Sequence, residues 1–290
     1  MEGGKIKNIV IVILLILNGF LLFLVGGRRM ETTHSHESAR SSAIQIICNG
    51  GVQLEAETVP ESTGLPVLQA KRDPEKEKAL AAAVLGADVS VEALGGEVYR
   101  CRNANGWVQF HSTGEFMAEL GGPAFILEGA AAQHAAALMS ELEFDSRVLV
   151  DTVADGTGSV TLGQMLNGVP VLNCQAVVHY RDGQLVSITQ GRRLTGEAQV
   201  ADAKEAMSVS TALMRLYNGL KALGDVYTRI EEITPAYTMS VGLSGTARLD
   251  PVWYVKTDTG AYEMDIQTGQ IGRFGGAAVT AEAQLVLTEQ

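Results

Sequence analysis

An uninterrupted apolar run near the N-terminus constrains this 290-residue chain more than any other feature. Residues 9–25 read IVIVILLILNGFLLFLV, carry no charge, and are Ile, Leu, Val or Phe at fifteen of seventeen positions. A helix of this length measures ~26 Å, close to the ~30 Å hydrocarbon core of a bilayer. Inserting those fifteen side chains is worth roughly −4 to −9 kcal/mol, which one Asn does not cancel. The run therefore predicts a transmembrane helix over residues 9–27.

A cleaved signal peptide is the competing interpretation of this run. The apolar region of a signal peptide usually covers ~7 to 15 residues and ends at a small-x-small cleavage site. Here Val25-Gly26-Gly27 is followed by Arg28-Arg29 instead. Run length and the missing site favour an uncleaved anchor, with residues 1–8 as a short tail and residues 28–42 as a juxtamembrane linker. Basic residues flank the run on both sides, so charge alone leaves its orientation open.

Asn18 and Gly19 interrupt the apolar run near its midpoint. A polar amide in hydrocarbon seeks a hydrogen-bonding partner, and a neighbouring glycine allows another backbone to approach closely. These two residues are candidates for a contact with a second transmembrane helix. The alternative, on an equal footing, is that a single-pass anchor tolerates these two residues without any such contact.

The remainder of the chain is acidic. Setting aside the four basic residues and one acidic residue of positions 1–29 leaves 18 Lys and Arg against 32 Asp and Glu, a formal charge of −14. Such a charge disfavours nucleic acid as a partner and repels an anionic membrane surface. Solubility alone is the simpler reason for it. Three scattered cysteines are too few for a disulfide framework, and the sequence leaves open whether any two of them pair: Cys48, Cys101 and Cys174.

Helix-capping residues and turn dipeptides predict an α+β fold after the anchor. Asp73, Pro74 and Gly86 delimit one helix, and apolar periodicity predicts two more over about 130–142 and 203–223. A strand is predicted over 52–56. Three hairpins are predicted around Asn105-Gly106, Asp182-Gly183 and Thr259-Gly260, whose glycines are spaced by 77 residues each time.

This order predicts a repeated unit of one helix and one antiparallel hairpin, although coincidence is an alternative explanation of the equal spacing. The predicted units span residues 43–125, 126–200 and 201–290.

The sequence lacks the recognisable motifs of an enzyme. It contains no Gly-x-Ser-x-Gly, no Ser-x-x-Lys and no His-Glu-x-x-His, and its Gly-Gly pairs lack the lysine of a phosphate-binding loop. His34 and His36 lie in the polar linker with no further ligand nearby. We therefore expect no catalytic, cofactor-binding or metal-binding residues and no enzymatic activity.

Aromatic residues concentrate on the predicted hairpins. Packing within the sheet is the favoured explanation, since alternation places Trp253 and Val255 on one face. Exposed members would instead form a protein-binding surface. The candidates for that surface are Trp107, Tyr180, Tyr254 and Tyr262.

Several segments together resemble the YycI family and, more loosely, its relative YycH. They are KIKNIVIVILLILNGFLL, IQIICNGGVQLEAETVP, NGWVQFHSTGEF, NGVPVLNCQAVVHYRDGQLVSI and LDPVWYVKTDTGAYEMDIQTG. The last is also similar to PepSY-type units. The resemblance rests on order and spacing along the whole chain, and the N-terminus lacks the Trp typical of the family.

This resemblance implies a cytoplasmic N-terminus, with residues 30–290 outside the membrane as PepSY-like or YycI-like units. It implies a non-enzymatic regulator of a sensor histidine kinase of the YycFG (WalKR) two-component system, which controls cell-wall homeostasis. It also implies pairing with a second anchored accessory subunit similar to YycH. The alternative function is an anchored PepSY-type module that binds or inhibits a peptidase, a peptide or cell-wall material.

Overall fold

The computed structural model describes residue 18 and residues 37–86, 88–194, 196–202, 206–242 and 245–275. These residues form an α+β fold with few helices and one large curled sheet, so the predicted class is confirmed. The helices are α1 (37–49), α2 (Pro74–Leu85), α3 (Ala131–Glu141) and α4 (Val209–Leu223), with 3-10 turns at Ala56–Thr58 and Pro123–Phe125.

The strands run mostly antiparallel. They are β1 (Val67–Lys71), β2 (Ser90–Gly95), β3 (Val98–Asn103), β4 (Gly106–Phe110), β5 (Glu115–Leu120), β6 (Ser146–Asp151), β7 (Gly158–Leu166), β8 (Val169–Arg181), β9 (Gln184–Arg192), β10 (Gln199–Asp202), β11 (Ile230–Val241), β12 (Thr246–Thr257), β13 (Ala261–Asp265) and β14 (Ile271–Arg273).

Three copies of a helix followed by a four-stranded antiparallel meander make up most of the fold. The first unit is α2 with β2–β5, the second is α3 with β6–β9, and the third is α4 with β11–β14. The sequence predicts a repeated helix-plus-hairpin unit, and the structure adds two further strands to each hairpin.

The equal spacing of the three glycines does not mark equivalent positions. Gly106 joins the second and third strands of its unit, whereas Gly183 joins the third and fourth strands of its own. The φ angles of Gly106 and Gly183 are +135° and +73°, which glycine adopts without steric cost. Gly260 is not one of the described glycines with a positive φ, so its turn does not require the conformational freedom of glycine. Tight turns favour glycine wherever they occur, and this explains the spacing without an exact repeat.

The first two units share one sheet and one core. Antiparallel pairing of β5 with β9 joins them into the order β6-β7-β8-β9-β5-β4-β3-β2, with β6 and β2 at the two edges. Helices α2 and α3 pack on the same face through Ala81, Leu85, Ala135 and Met139, each no more than 1% exposed. A single core therefore holds both units.

The third unit has a separate core that includes helix α1. Ala43 and Ile47 of α1 pack with Leu213 and Leu216 of α4 and with the fully buried Trp253. Residues 43–59 fall within the predicted first unit, but their buried side chains lie in this third core.

Strands that precede the helices tie the units together. Strand β1 pairs with β10 on one side and with the first residues of β12 on the other. The rest of β12 pairs with β13. Strands β8 and β11 meet in parallel where Val171 lies opposite Tyr237. The fourteen strands of the described residues therefore form one connected sheet.

Local signals locate the helix ends well but misplace two elements. The Asp73 carboxylate accepts hydrogen bonds from the backbone N–H groups of Glu75 and Lys76, both at 3.1 Å, so the predicted start of α2 is confirmed. Helix α4 begins after Ser208 rather than near 203, because Asp202 is taken up in the pairing of β10 with β1. The predicted strand over 52–56 is wrong, since it forms only an isolated bridge followed by a 3-10 turn.

The described part of the chain contains no helix that is both long and apolar enough to cross a membrane. Apart from Asn18, the predicted span over residues 9–27 lies outside the described residues.

Candidate interaction surfaces

Two of the four aromatic residues predicted to form a surface are buried. Tyr180 and Tyr262 are each 3% exposed, because the alternation of their strands turns them toward the helix-covered face. The Tyr180 hydroxyl lies 2.9 Å from Nδ1 of His134, on α3. The Tyr262 hydroxyl donates to Asp225 at 2.9 Å. Both residues therefore lie in the cores of their units and not on an exposed surface, and a contact of either with a partner stays a prediction.

The other two residues are partly exposed. The indole Nε1 of Trp107 donates to Glu119 at 3.0 Å, and the Arg100 guanidinium lies 4.5 Å from the centroid of the indole ring. This stacking covers part of the ring. Tyr254 packs edge-to-face against Phe274 with ring centroids 5.2 Å apart. Trp107 and Tyr254 lie on different units, so they do not form one continuous aromatic surface.

The predicted transmembrane contact falls mainly outside the described residues. Asn18 is helical and exposed, and Gly19 is not described. Their contact with a second helix stays a prediction.

A buried polar cluster fixes α2 to the sheet of the first unit. The Arg72 guanidinium donates to both carboxylate oxygens of Glu77, with its Nη2 2.9 Å from Oε2, and these side chains are 6% and 1% exposed. The Tyr99 hydroxyl on β3 donates to the same carboxylate. Burial, followed by this hydrogen bond to Glu77, raises the pKa of Tyr99 far above its usual value. The three groups satisfy one another, which indicates a structural role.

All three cysteines are free thiols. Cys48 is exposed, whereas Cys101 and Cys174 are buried. Burial raises the pKa of Cys174 to about 12, so this thiol is not nucleophilic at neutral pH. Among the residues that the structure describes, no three His, Cys, Asp or Glu side chains lie close enough to hold a metal ion.

The free edge formed by β6 is the most distinctive exposed feature of the second unit. This strand pairs with β7 on one side, and a β-bulge shifts its register between Val148 and Val150. Val148, Leu149 and Val150 are 44%, 44% and 52% exposed. An unpaired strand edge with consecutive exposed apolar residues is a template for another strand. None of the residues predicted to form an interaction surface lies on this edge, although Val148-Leu149-Val150 is a visible apolar run.

Side chains of β6 divide between the two faces of the sheet. Val148 lies opposite Leu162, which belongs to the core beneath α3. Leu149 covers Gly163 on the other face, where its side chain fills the space that a Cβ on that glycine would need. Both faces beside this edge therefore carry partly exposed apolar groups.

The opposite edge of the same sheet is β2. All of its residues are exposed, including Val91 and Leu94 at 49% and 43%. The charge of Glu92 lies between these two apolar residues, and a charge on an edge strand discourages pairing with another chain. The middle of β6 has no such charge, since Arg147 and Asp151 lie at its ends.

Comparison with known proteins gives one match to a family model. Residues 148–190 match the Fungalysin/Thermolysin Propeptide Motif. The matched residues cover most of β6 to β9 and therefore fall on the meander of the second unit. No curated protein matches this chain.

Two solved structures are similar over most of the chain. An uncharacterized protein from Eubacterium rectale is 16% identical, with 73% of this chain and 87% of that chain covered at a TM-score of 0.43. The C-terminal domain of YpeB from Bacillus megaterium is 10% identical, with 70% of this chain and 98% of that chain covered at a TM-score of 0.33.

Proposed function

We propose that this chain is a non-enzymatic, membrane-anchored binding module whose second unit takes up an extended segment of a protein partner along β6. The free, apolar edge of β6 is the observation that carries the proposal. Strand addition uses backbone hydrogen bonds for affinity and side-chain contacts for specificity. The motif match on the same meander favours a peptidase as the partner, because the name of the motif associates it with the propeptides of fungalysin and thermolysin.

The size of the edge limits the affinity it provides. Covering the half-exposed Val148, Leu149 and Val150 is worth about 1 kcal/mol each, since full burial of such a side chain is worth about 1.5–3 kcal/mol. Backbone hydrogen bonds add about 0.5–1.5 kcal/mol each. Association costs about 4 kcal/mol or more in lost freedom. Strand addition alone therefore gives weak binding, and a specific partner also contacts the surface next to the edge.

Binding of an inactive thermolysin-type peptidase to the full-length protein in detergent micelles tests this function. We expect a measurable dissociation constant for the wild type and at least tenfold weaker binding for Val150→Lys, because a charge at the edge opposes pairing. Val91→Lys on the opposite edge is the matched control and should leave binding unchanged. Equal binding by the wild type and Val150→Lys, or no binding at all, would refute the proposal.

Regulation of a sensor histidine kinase is the second candidate function. The apolar run with Asn18 and the chain-wide resemblance to the YycI family support it. In this proposal the N-terminus is cytoplasmic, the rest of the chain is extracytoplasmic, and a second anchored accessory subunit shares the complex.

Co-purification from membranes in mild detergent tests this second candidate. The kinase should be recovered with the wild type and lost or reduced with Asn18→Leu. Failure to recover a kinase in any mild detergent would count against this second candidate. Peptidase binding that is the same for the wild type and Asn18→Leu would favour the first function.

A further inference from the structure

The edge strand β6 has a charge pattern that is complementary to itself. Residues 147–151 read Arg-Val-Leu-Val-Asp, with a cation at one end, an anion at the other and three apolar side chains between them, and all five are exposed. A two-fold axis through Leu149 brings two copies of this strand together in antiparallel register. Arg147 of each copy then lies across from Asp151 of the other, so both ends of the paired strands combine one positive and one negative charge.

Other arrangements of the edge strands lack this match. Parallel pairing of β6 in register puts like charges beside each other at both ends, which destabilises a strand pair. The opposite edge of the sheet, β2, has Glu92 near its middle, so a two-fold axis there brings two carboxylates close together. The charges therefore favour one edge, β6, and one direction of pairing, antiparallel.

Neither charge of β6 is neutralised by another described residue. Arg147 makes no hydrogen bond or ion pair with the part of the chain that the structure describes. Asp151 accepts a hydrogen bond through Oδ1 from the backbone N–H of Val153 at 3.0 Å, and no cation among the described residues forms an ion pair with it. Both side chains are therefore available to an oppositely charged group of a second copy.

The helix beside this edge carries little charge that would oppose a second copy. Helix α3 packs against β6 and β7, and its sequence reads AAQHAAALMSE. Glu141, at the C-terminal end, is the single Asp, Glu, Lys or Arg in it, and small side chains such as Ala137 and Ser140 are exposed. A two-fold axis perpendicular to the sheet puts both copies of α3 on the same face, where their exposed surfaces do not repel each other through charge.

We propose that two copies of this chain pair through β6, antiparallel about a two-fold axis at Leu149, and that this dimer closes the edge to the partner. The inference rests on the proposed function, because it assigns a competitor to the same binding edge. An edge accepts one strand, so a β6 that is paired with a second copy does not take up an extended segment of a peptidase. The contact uses the same strand of both copies, so it ends at a dimer and does not propagate.

The size of the contact makes the dimer weak and dependent on concentration. The strand supplies six residues per copy, whereas a standard protein interface uses about 20–30 residues a side. The bulge between Val148 and Val150 also twists the strand and shortens the stretch that pairs. A weak dimer dissociates when a partner competes for the edge, and this property lets it regulate binding.

Disulfide cross-linking of the full-length protein in detergent micelles tests the register. In the proposed dimer Leu149 lies across from its own copy, at the Cα separation of ~4.5–5.5 Å that suits a disulfide. In a Cys48→Ser background, which removes the exposed native thiol, Leu149→Cys should form a cross-linked dimer on mild oxidation. Val91→Cys on the opposite edge is the matched control and should not cross-link.

Charge reversal tests the complementarity. In the wild type, hydrogen exchange of residues 146–151 should slow as the protein concentration rises. Arg147→Asp alone or Asp151→Arg alone replaces both attractive pairs by repulsive ones and should weaken the pairing at least tenfold. An equal mixture of the two variants has opposite charges at both ends again, so protection should return to the wild-type level. Mixing would not reverse a local structural defect of either variant.

Three results would overturn the inference. The first is exchange of residues 146–151 that does not depend on protein concentration. The second is a mixture of the two charge-reversed variants that is protected no better than either variant alone. The third is a cross-link between the introduced thiols of β6 and β2 in a mixture of the two cysteine variants, because it would indicate head-to-tail pairing.

Peptidase binding separates this inference from the proposed function. The oxidised Leu149→Cys dimer should bind an inactive thermolysin-type peptidase at least tenfold more weakly than the same protein after reduction. Peptidase binding by a wild type whose residues 146–151 show no concentration-dependent protection rejects the inference and leaves the proposed function standing. Concentration-dependent protection without peptidase binding rejects the proposed function and leaves the dimer standing.

Discussion

Replacing Glu77 by alanine should destabilise the first unit severely. Glu77 is 1% exposed and accepts hydrogen bonds from both the Arg72 guanidinium and the Tyr99 hydroxyl. Alanine removes the buried counter-charge but leaves the Arg72 side chain buried. Its Nη1 still donates to the carbonyl oxygen of Glu97 at 2.9 Å and lies 4.0 Å from the exposed carboxylate of the same residue. The variant therefore contains a buried cation whose remaining ion pair is long and solvent-exposed, which compensates its burial poorly.

The expected cost follows from this geometry. Removing one partner of a buried ion pair costs about 3–5 kcal/mol, and the Tyr99 hydroxyl loses a further charge-assisted bond while keeping the carbonyl of Pro74 at 3.2 Å. We expect a decrease of about 4 kcal/mol in the free energy of unfolding. For a chain of this size that corresponds to a Tm lower by roughly 8–16 °C. Urea unfolding of the full-length protein, followed by tryptophan fluorescence, measures it, since Trp107 lies on β4, the neighbour of β3.

Glu75→Ala is the matched control on the same helix. Its carboxylate pairs with Lys78 at 2.7 Å but is 82% exposed, so its loss should cost no more than about 1 kcal/mol. The double variant Arg72→Met, Glu77→Leu removes both charges and should regain most of the lost stability. The reasoning fails if Glu77→Ala costs no more than Glu75→Ala, or if the double variant is as unstable as the single one.

Three further predictions concern turns, protonation and thiols. Gly106→Ala should lower the free energy of unfolding in urea by about 3 kcal/mol or more, because the new Cβ would overlap the carbonyl oxygen of Glu119. Gly168 also has a positive φ but has open space around it, so Gly168→Ala should cost about 1 kcal/mol, and equal costs for the two variants would contradict this. Burial lowers the pKa of His179 below 6.5, so the unfolded chain binds more protons and stability should fall as pH drops from 6.5 toward the folded pKa. His179→Asn should flatten that part of the curve of stability against pH, and an unchanged slope would reject this assignment. Maleimide should label only Cys48 in the native protein and all three cysteines after unfolding, as counted by mass spectrometry, whereas native labelling of Cys174 would contradict its burial.

Local sequence determined several features of the fold. The Asp73 cap, the Pro74 start and Gly86 set the ends of α2 through hydrogen bonds and backbone angles within a few residues. The turns at Asn105-Gly106 and Asp182-Gly183 form hairpins for the same reason. Apolar periodicity likewise predicted α3 to within a residue at each end. Short-range interactions are sufficient for these elements, so the α+β class could be predicted from the sequence.

The sequence could not show which apolar faces are covered. Alternation places Tyr180 and Tyr262 on definite faces of their strands, but only the packing of helices onto those faces buries them. The exposure of residues 148–150 also depends on distant parts of the chain, because no described strand pairs with β6 on the side away from β7. A strand at the edge and a strand in the centre of a sheet can have the same local sequence, because the difference lies in their neighbours.

Long-range contacts decided how the units assemble. The Tyr237 hydroxyl donates to the carbonyl of Pro66 at 3.0 Å, across 171 positions of the sequence, and α1 packs in the core of the third unit. Such pairings compete with many others of similar local pattern, and only the packing of the whole chain selects among them. The sequence by itself therefore determined the ends of α2, the position of α3, the tight turns and the apolar N-terminal run. The tertiary structure decided which strands became neighbours and which edge of the sheet stayed free.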